Sequence, residues 1–227
     1  MSRLISLICA LPEEFKALQD VFQFSNLRTI EGHENIWQGS TQESDFIIGV
    51  CNIGCINASI MASTICLVFK PSMMFFCGIA GAICKTLKTG DVVVPNKAFY
   101  IESATHTVFE AIWGTPNPLL ALPDSSKFSE QLKLPRNDIT FATVATSDVF
   151  PAPLSSLQSC HHHNATIIDM ETYPTAFVAQ KFNIPFYAIR SVSNGIETEN
   201  IPEDAISFSA KNAALVTKQL VAFSLIC

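Results

Sequence analysis

The sequence has few charged residues. Asp, Glu, Lys and Arg make up 15% of its 227 residues, and the 14 Lys and Arg residues form no basic run. Together with the net charge of -6 at pH 7, this argues against a protein that binds nucleic acid. Linkers, internal repeats and low-complexity segments are absent as well, so we expect one domain. Hydrophobic residues make up 48% of the sequence, which excludes a disordered chain.

The eight cysteines lack the paired spacings of a zinc site. Most of them lie in apolar stretches, which is typical of small core residues. Such cysteine usage fits a reducing compartment, and we therefore predict a cytoplasmic protein that holds no metal. His161, His162 and His163 stand together in what reads as a polar loop. We interpret them as solvated side chains rather than as metal ligands.

Residues 46–69 carry no formal charge and are long enough to cross a bilayer. Several polar residues and glycines interrupt the stretch, and Asn52 and Gly54 stand where a strand would turn into a helix. Residues 4–11 faintly imitate a signal peptide, but they run directly into Pro12 without a spaced small-residue cleavage site. We predict a buried first strand and no membrane span.

Apolar stretches and turn residues predict an alternation of strands and helices. Strands are predicted at residues 3–10, 27–31, 35–40, 45–51, 72–77, 91–101, 139–146, 166–168 and 185–192. Helices are predicted at about residues 12–22, 55–69, 170–182 and 205–223, and the proline-containing residues 103–123 are predicted to be mostly loop. This order implies a three-layer α/β/α sandwich around a mixed twisted sheet.

Polar or small residues follow four predicted strands, at residues 13–14 (Glu-Glu), 78–81 (Gly-Ile-Ala-Gly), 147–148 (Ser-Asp) and 193–194 (Ser-Asn). A fifth group, residues 169–171 (Asp-Met-Glu), begins a predicted helix. Ligands of α/β sheets collect at the carboxyl ends of the strands. The sequence therefore predicts a functional site at this edge.

Five motifs stand in the order and spacing of the nucleoside phosphorylase superfamily. They are ALPEEF at 10–15, GIAGA at 78–82, GDVVV at 90–94, DME at 169–171 and IRSVSN at 189–194. Within that superfamily the sequence most resembles the 5′-methylthioadenosine/S-adenosylhomocysteine nucleosidases and the related futalosine hydrolases. The resemblance implies a single nucleosidase domain over residues 1–227 that cleaves a purine from ribose. It further implies no cofactor, and a homodimer whose subunits together close the pocket for the ribose 5′ substituent.

Two carboxylates have central roles in what the resemblance implies. Glu14 would activate water, although an acid in the first turn of a helix can also simply favour the helix dipole. Glu171 would grip the ribose hydroxyls, because an ionised carboxylate is only an acceptor and suits two O–H donors. Its alternative interpretation is a capping acid before an apolar helix.

Four more residues are assigned to the substrate by the same resemblance. Met170 would lie against the sugar, and Phe150 would stack on the base, unless it is a core residue. Arg190 and Ser193 would order the water and the end of their strand. In any interpretation Arg190 needs a partner, since it stands on a buried strand.

The first loop bears on whether phosphate or water is the acceptor. Glu13 and Glu14 would repel phosphate, and no arginine stands near the Gly78 motif in the sequence. Water is therefore the predicted acceptor, and the predicted reaction is hydrolysis.

Asn194 is the first of three departures from the family pattern. The methylthioadenosine nucleosidases have an aspartate there, which is the acid for N7 of the base. An amide cannot donate a full proton, although its NH2 group carries two hydrogen-bond donors. By flipping, Asn194 can match adenine or a 6-oxopurine, but it removes the acid that adenine needs as a leaving group. Purine phosphorylases specific for 6-oxopurines also use asparagine at this point.

Pro151 and Ile79 are the other two departures. In the adenine-specific enzymes the residue at 151 donates its N–H to adenine N1, and proline has no N–H. An unpaired buried acceptor costs about 1–3 kcal/mol, which disfavours adenine; hypoxanthine N1 carries a hydrogen and needs an acceptor instead. Ile79 replaces a polar residue near the base, with core filling as its alternative interpretation.

Two of these departures favour a hypoxanthine nucleoside and predict hydrolysis of futalosine, which releases hypoxanthine and dehypoxanthine futalosine in menaquinone biosynthesis. Futalosine has a carboxylated aromatic tail at the ribose 5′ position. We therefore expect an apolar channel with one cation or donor near its mouth, and His106, Phe109 and Trp113 are candidates to line it. The alternatives are a 5′-methylthioadenosine/S-adenosylhomocysteine nucleosidase and a non-catalytic nucleoside-binding or storage relative.

Overall fold

The computed structural model describes residues 3–102, 119–150, 154–195 and 201–226. Its strands are β1 (Leu4–Cys9), β2 (Ser25–Ile30), β3 (His33–Ser40), β4 (Asp45–Val50), β5 (Met73–Ala82), β6 (Val92–Tyr100), β7 (Leu119–Ala121), β8 (Ile139–Thr146), β9 (Ala165–Asp169) and β10 (Phe186–Gly195). Its α-helices are α1 (Pro12–Phe22), α2 (Cys55–Val68), α3 (Leu154–His162), α4 (Thr172–Lys181) and α5 (Glu203–Ile226).

All of these strands belong to one mixed sheet, in which β5 has the central place. Its first half pairs with β1, from which β4, β3 and β2 extend to one side. Its second half pairs with β9, and its other edge pairs with β10 along its length. From β10 the pairing continues through β6 and β8 to β9, so five strands close into a ring. The sheet is thus part open and part barrel-like.

Helices cover both faces of the open part of the sheet. Ile5 and Leu7 of β1 belong to an apolar cluster with α1 and α5, whereas Ile8 belongs to a cluster with α2 and α4. Successive side chains of a strand point to opposite faces, and a strand covered on both faces reads as a continuous apolar run. This explains the unbroken apolar character of β1 and confirms the predicted α/β class with helices on both sides of a mixed sheet.

Two local predictions were wrong. Residues 154–162 form α3, so His161 and His162, which were predicted to lie in a loop, end a helix; the ring of His163 lies 4.5 Å from that of Phe99. Serines, glutamine and histidines interrupt the apolar spacing of α3, which hides the helix. The short strand β7 lies within residues 103–123, a stretch that was predicted to be mostly loop and of which residues 119–123 are described. β5 continues to Ala82 instead of ending before Gly78, because β9 and β10 pair with it there.

Among the described residues no helix is both long and apolar enough to cross a membrane.

Candidate functional site

Glu14 lies in the first turn of α1 and is only 1% exposed. Its Oε2 accepts the N–H groups of Ala10 at 2.7 Å and Leu11 at 3.0 Å, which fixes the carboxylate over the start of its own helix. Its Oε1 accepts the N–H of Ile79 at 2.9 Å, from the middle of β5. Burial raises the pKa of Glu14 despite the opposing effects of Arg190 and these N–H groups.

Arg190 on β10 is completely buried and faces two carboxylates, Asp169 at the end of β9 and Glu171 just after it. Its Nε lies 2.7 Å from Oδ2 of Asp169 and donates to Oγ1 of Thr172 at 3.0 Å. Its Nη2 lies 3.5 Å from Oε2 of Glu171, and its Nη1 donates to the carbonyl oxygen of Ile79 at 3.5 Å. Although burial lowers the pKa of Arg190, the surrounding carboxylates raise it overall, so the side chain is charged.

Glu171 lies between the end of β9 and the start of α4. Its Oε1 accepts the N–H of Gly54 at 3.0 Å, at the beginning of α2. Burial raises the pKa of Glu171 to about 7; Arg190 acts against this rise, while Asp169 and Glu14 add to it. Near neutral pH this carboxyl group is therefore divided between its protonated and its ionised form.

Gly78 is the point of β5 over which these side chains meet. A Cβ atom at this position would lie 2.4 Å from Nη1 of Arg190 and 2.8 Å from Oε1 of Glu14. Only glycine leaves room for both groups at such a distance. Glu14 thus lies close to Arg190 and Glu171, which are distant from it in the sequence, over the middle of β5 and β10.

A narrow cleft of about 30 Å³, whose lining includes none of Glu14, Glu171 and Arg190, lies next to the end of β9. It is lined by Gly81, Val149, Phe150, Ile168, Asp169, Met170 and Asn194. Three predicted residues, Phe150, Met170 and Asn194, are thus brought together. The side chain of Phe150 is 53% exposed, so much of its ring remains accessible. Pro151, the next residue, lies outside the described residues, as do His106, Phe109 and Trp113.

Asn194 is held in one orientation by its neighbours on β10. Its Nδ2 donates to the carbonyl oxygen of Gly195 at 2.9 Å, and its Oδ1 accepts the hydroxyl of Ser193 at 2.8 Å. The Gly195 oxygen can only accept, so it selects the amide nitrogen rather than the amide oxygen. The pairing of β10 with β5 shifts register between Val192 and Asn194, and such a bulge re-aims the side chains next to it.

Ile79 does not line this cleft. Its contribution comes through its backbone, which bonds Glu14 with its N–H and Arg190 with its carbonyl oxygen. Its expected place beside the base therefore stays a prediction.

Sequence reasoning missed Asp169 and Thr172 as partners of Arg190. The hydroxyl of Thr172 donates to Oδ2 of Asp169 in a short contact, and the same carboxylate accepts the hydroxyl of Thr146 at 2.7 Å. A signal was present: Arg190 on a buried strand requires a counter-charge, and Asp169 is the first residue of the Asp-Met-Glu motif.

A wider groove of about 540 Å³ lies between α1 and α5, away from this site. It is lined by Pro12, Glu13, Lys16, Ala17, Asp20, Val21, Glu203, Ser207 and Lys211. It contains neither Glu14 nor Arg190, and its two lysines stand among three acidic residues. Within the described residues, no group of three or more His, Cys, Asp or Glu side chains could hold a metal ion.

Comparison with known proteins relates the whole chain to one family. A family profile described as "Phosphorylase superfamily" matches residues 5–224. A curated 5′-methylthioadenosine/S-adenosylhomocysteine nucleosidase of Staphylococcus aureus is 27% identical over 96% of this chain and 97% of its own length.

Two solved structures from Helicobacter pylori share the fold at 22% identity. One is a mutant of its methylthioadenosine nucleosidase with 5′-methylthioadenosine in the active site; it covers 98% of this chain and 100% of its own, with a TM-score of 0.85. The other is futalosine hydrolase, which covers 98% of this chain and 99% of its own, also with a TM-score of 0.85. Equal scores mean that the fold does not discriminate between these two proteins.

Proposed function

This chain belongs to the phosphorylase superfamily, and from that premise we propose that it hydrolyses the N-glycosidic bond of a 5′-substituted purine nucleoside. The observation that carries the proposal is the convergence of Glu14 and Glu171 on Arg190 at Gly78; a narrow cleft lined by Met170 and Asn194 accompanies it. The similar proteins that are named nucleosidases or hydrolases support it.

In the proposed reaction Glu14 activates water. An ionised carboxylate offers about four acceptor positions, and the N–H groups of Ala10, Leu11 and Ile79 use three of them. The remaining position suits an O–H of water, whose oxygen attacks the anomeric carbon as the bond to the base breaks. Glu171 accepts the ribose hydroxyls and stabilises the positive charge that develops on the sugar ring.

Water is favoured over phosphate as the acceptor by the charges around the site. Arg190 already contacts Asp169 and Glu171, and Glu14 stands where an anionic nucleophile would approach. A phosphate there would meet buried carboxylates instead of an open guanidinium group. This supports hydrolysis.

The finer proposal concerns the base that is released. We favour hypoxanthine, which makes futalosine the substrate and places the reaction in menaquinone biosynthesis. Asn194 cannot protonate N7 of a departing adenine, and Pro151 has no N–H for adenine N1. Hypoxanthine is the better leaving group of the two and needs no N–H donor at N1.

A 5′-methylthioadenosine/S-adenosylhomocysteine nucleosidase is the second candidate, and one observation favours it. A carboxylated tail needs a cation or donor, yet residues 103–118 contain no Lys or Arg. His106 is the one basic side chain of that stretch. The 5′-methylthio group is uncharged and needs neither a cation nor a donor.

Detection of the free base separates the candidates. We expect hypoxanthine from futalosine at a higher kcat/KM than adenine from 5′-methylthioadenosine. Release of adenine with no release of hypoxanthine would support the second candidate. Binding of both nucleosides without any free base would support a non-catalytic relative.

Asn194→Asp tests how the base is read. We expect this variant to raise kcat/KM for adenine nucleosides relative to hypoxanthine nucleosides, because a carboxyl group can protonate N7. Asn183→Asp, which adds the same charge at an exposed position, should leave the ratio unchanged. An unchanged ratio in Asn194→Asp would mean that the base edge is read elsewhere.

We further propose that the protein is a cytoplasmic homodimer. The seven described cysteines are all free, which supports a reducing compartment. The outer side of α2 supports self-association: Ile56, Ile60 and Leu67 share one helical face and are 73%, 61% and 61% exposed. Residues 46–69 carry no charge, so two copies of this face can meet around a two-fold axis without like-charge repulsion.

Measurement of the oligomeric state tests whether the exposed face of α2 is the dimer interface. Sedimentation should show a dimer for the unchanged protein and a monomer for the double variant Ile56→Glu, Ile60→Glu. The same two charges at the exposed Thr86 and Ser129 should leave the dimer intact. A monomeric unchanged protein, or a dimeric double variant, would contradict this surface.

A further inference from the structure

Three carboxylates surround Arg190, the buried cation of the site. Arg190 contacts Asp169 at 2.7 Å through Nε and Glu171 at 3.5 Å through Nη2. Glu14 approaches the guanidinium group over Gly78. Because the attraction in a low-dielectric interior depends strongly on distance and geometry, Asp169 is the principal counter-charge of Arg190.

Asp169 is itself fixed from more than one element. Its Oδ1 accepts the hydroxyl of Thr146, its register partner at the end of β8, at 2.7 Å. Its two oxygens accept the N–H of Thr172 at 3.3 and 3.2 Å, at the start of α4. The Thr172 hydroxyl donates to Asp169 and accepts from Nε of Arg190. The carboxylate is thus held at the junction of three elements before any substrate arrives.

We propose that Asp169 is a positioning residue, which holds Arg190 through Nε and thereby leaves Glu171 to the ribose hydroxyls. The inference rests on the proposed function, in which Glu171 grips the sugar. Without the charge of Asp169, the guanidinium group would turn to Glu171 as its counter-ion. The hydroxyls of the sugar would then compete with Arg190 for the same carboxylate.

The pH dependence of ribose binding reports this competition. The titratable groups that face Glu171 are Arg190 on β10, Asp169 on β9, Glu14 on α1 and the thiols of Cys51 and Cys55. Burial raises the pKa of both thiols, so they stay neutral. Glu171 grips the sugar in its ionised form, and its pKa is raised to about 7. Activity of the unchanged protein should therefore rise as the pH increases through this region.

The central experiment compares Asp169→Asn with the unchanged protein, as kcat and KM from pH 5 to 9. Asparagine keeps the size of the side chain and removes the charge. Arg190 then pairs with Glu171, and the repulsion between the two carboxylates disappears. Both effects favour ionised Glu171, so the acid limb of kcat/KM should move down by about one pH unit. At pH 8, KM should rise by about tenfold with a smaller change in kcat.

Two further variants separate positioning from a general structural role. Asp169→Glu keeps the charge but displaces it by one methylene group, so kcat/KM should fall while the acid limb stays in place. Asp124→Asn makes the same substitution at an exposed carboxylate that accepts the N–H of Ser126, and it should change neither quantity. An unmoved acid limb in Asp169→Asn, or unchanged kcat/KM in Asp169→Glu, would overturn the proposal.

Binding of futalosine, the proposed substrate, measured by calorimetry in a Glu14→Gln background, gives a readout that needs no turnover. If Asp169→Asn is added there, the pH range in which the nucleoside binds should widen toward acid. Failure of the unchanged protein to release any base would contradict the proposed function. An unaltered pH dependence of binding in the double variant would contradict the role of Asp169 even where the hydrolysis is observed.

Discussion

Glu14→Gln is expected to lower kcat by at least about a hundredfold, because the variant loses the acceptor that activates water. The carboxylate of Glu14 is reached by the N–H groups of Ala10, Leu11 and Ile79. These donors hold it in place and favour its ionised form, against the effect of burial. A glutamine of the same length keeps one acceptor oxygen and turns an NH2 group toward the remaining N–H donors, so it can neither take a proton nor satisfy all three.

The measurement is single-turnover release of the base, with thermal unfolding run in parallel. Glu13→Gln is the matched control: it removes the same charge from the neighbouring residue, which lines the groove between α1 and α5. That variant should keep nearly full turnover. Near-normal turnover of folded Glu14→Gln would remove Glu14 from the mechanism. Equal losses in both variants would indicate a general effect of charge at the start of α1.

The sequence predicted the place of Glu14 but not what holds it. An acid in the first turn after a buried strand could be recognised from residues 10–15, because proline and acidic residues are typical of helix starts. The N–H of Ile79, by contrast, comes from a strand 65 positions away. Such a contact depends on the pairing order β4–β1–β5, which no local pattern contains.

The ring of five strands shows the same limit. Each strand could be recognised by its apolar residues, but the pairing of β9 with the second half of β5 involves only Gly81 and Ala82 on that strand. These residues looked like a turn after the strand, since glycine and alanine have weak strand preference. The closure brings Ile168 and Asp169 next to β5 and so forms one wall of the cleft.

Asp169 illustrates why the ion-pair network was only partly predictable. Burial of Arg190 required a partner, and both Asp169 and Glu171 were available in one motif. The choice between them depends on the direction of Nε and on the two threonine hydroxyls that fix Asp169. Those are properties of three packed elements, and the sequence alone gives no means to rank the two carboxylates.

Arg190→Met is expected to destabilise the folded protein by roughly 3–5 kcal/mol, because removal of one member of a buried ion pair leaves uncompensated charge. Methionine fills much of the volume of the arginine stem, so the loss reports charge more than packing. Asp169 and Glu171 would lose the cation that lies 2.7 and 3.5 Å away. Denaturant unfolding at pH 8 gives the free energy, and Arg136→Met, at an exposed position, should change it little.

The pH dependence of this loss identifies its cause. The pKa of Glu171 is raised to about 7 in the folded protein, and removal of the nearby positive charge would raise it further. The folded variant therefore binds protons more readily than the unfolded chain, and its stability should fall as the pH rises from 5.5 to 8. The destabilisation relative to the unchanged protein should accordingly be larger at pH 8 than at pH 5.5.

A second substitution decides whether the loss arises from unpaired charge. In the double variant Arg190→Met, Asp169→Asn the principal counter-charge is removed together with the cation, so part of the lost stability should return. Additive losses would show that the two residues contribute separately, and Arg190 would then matter for its packing. If the double variant regains part of the lost stability and neither variant hydrolyses the substrate, the ion pair serves the geometry of the site more than the stability of the fold.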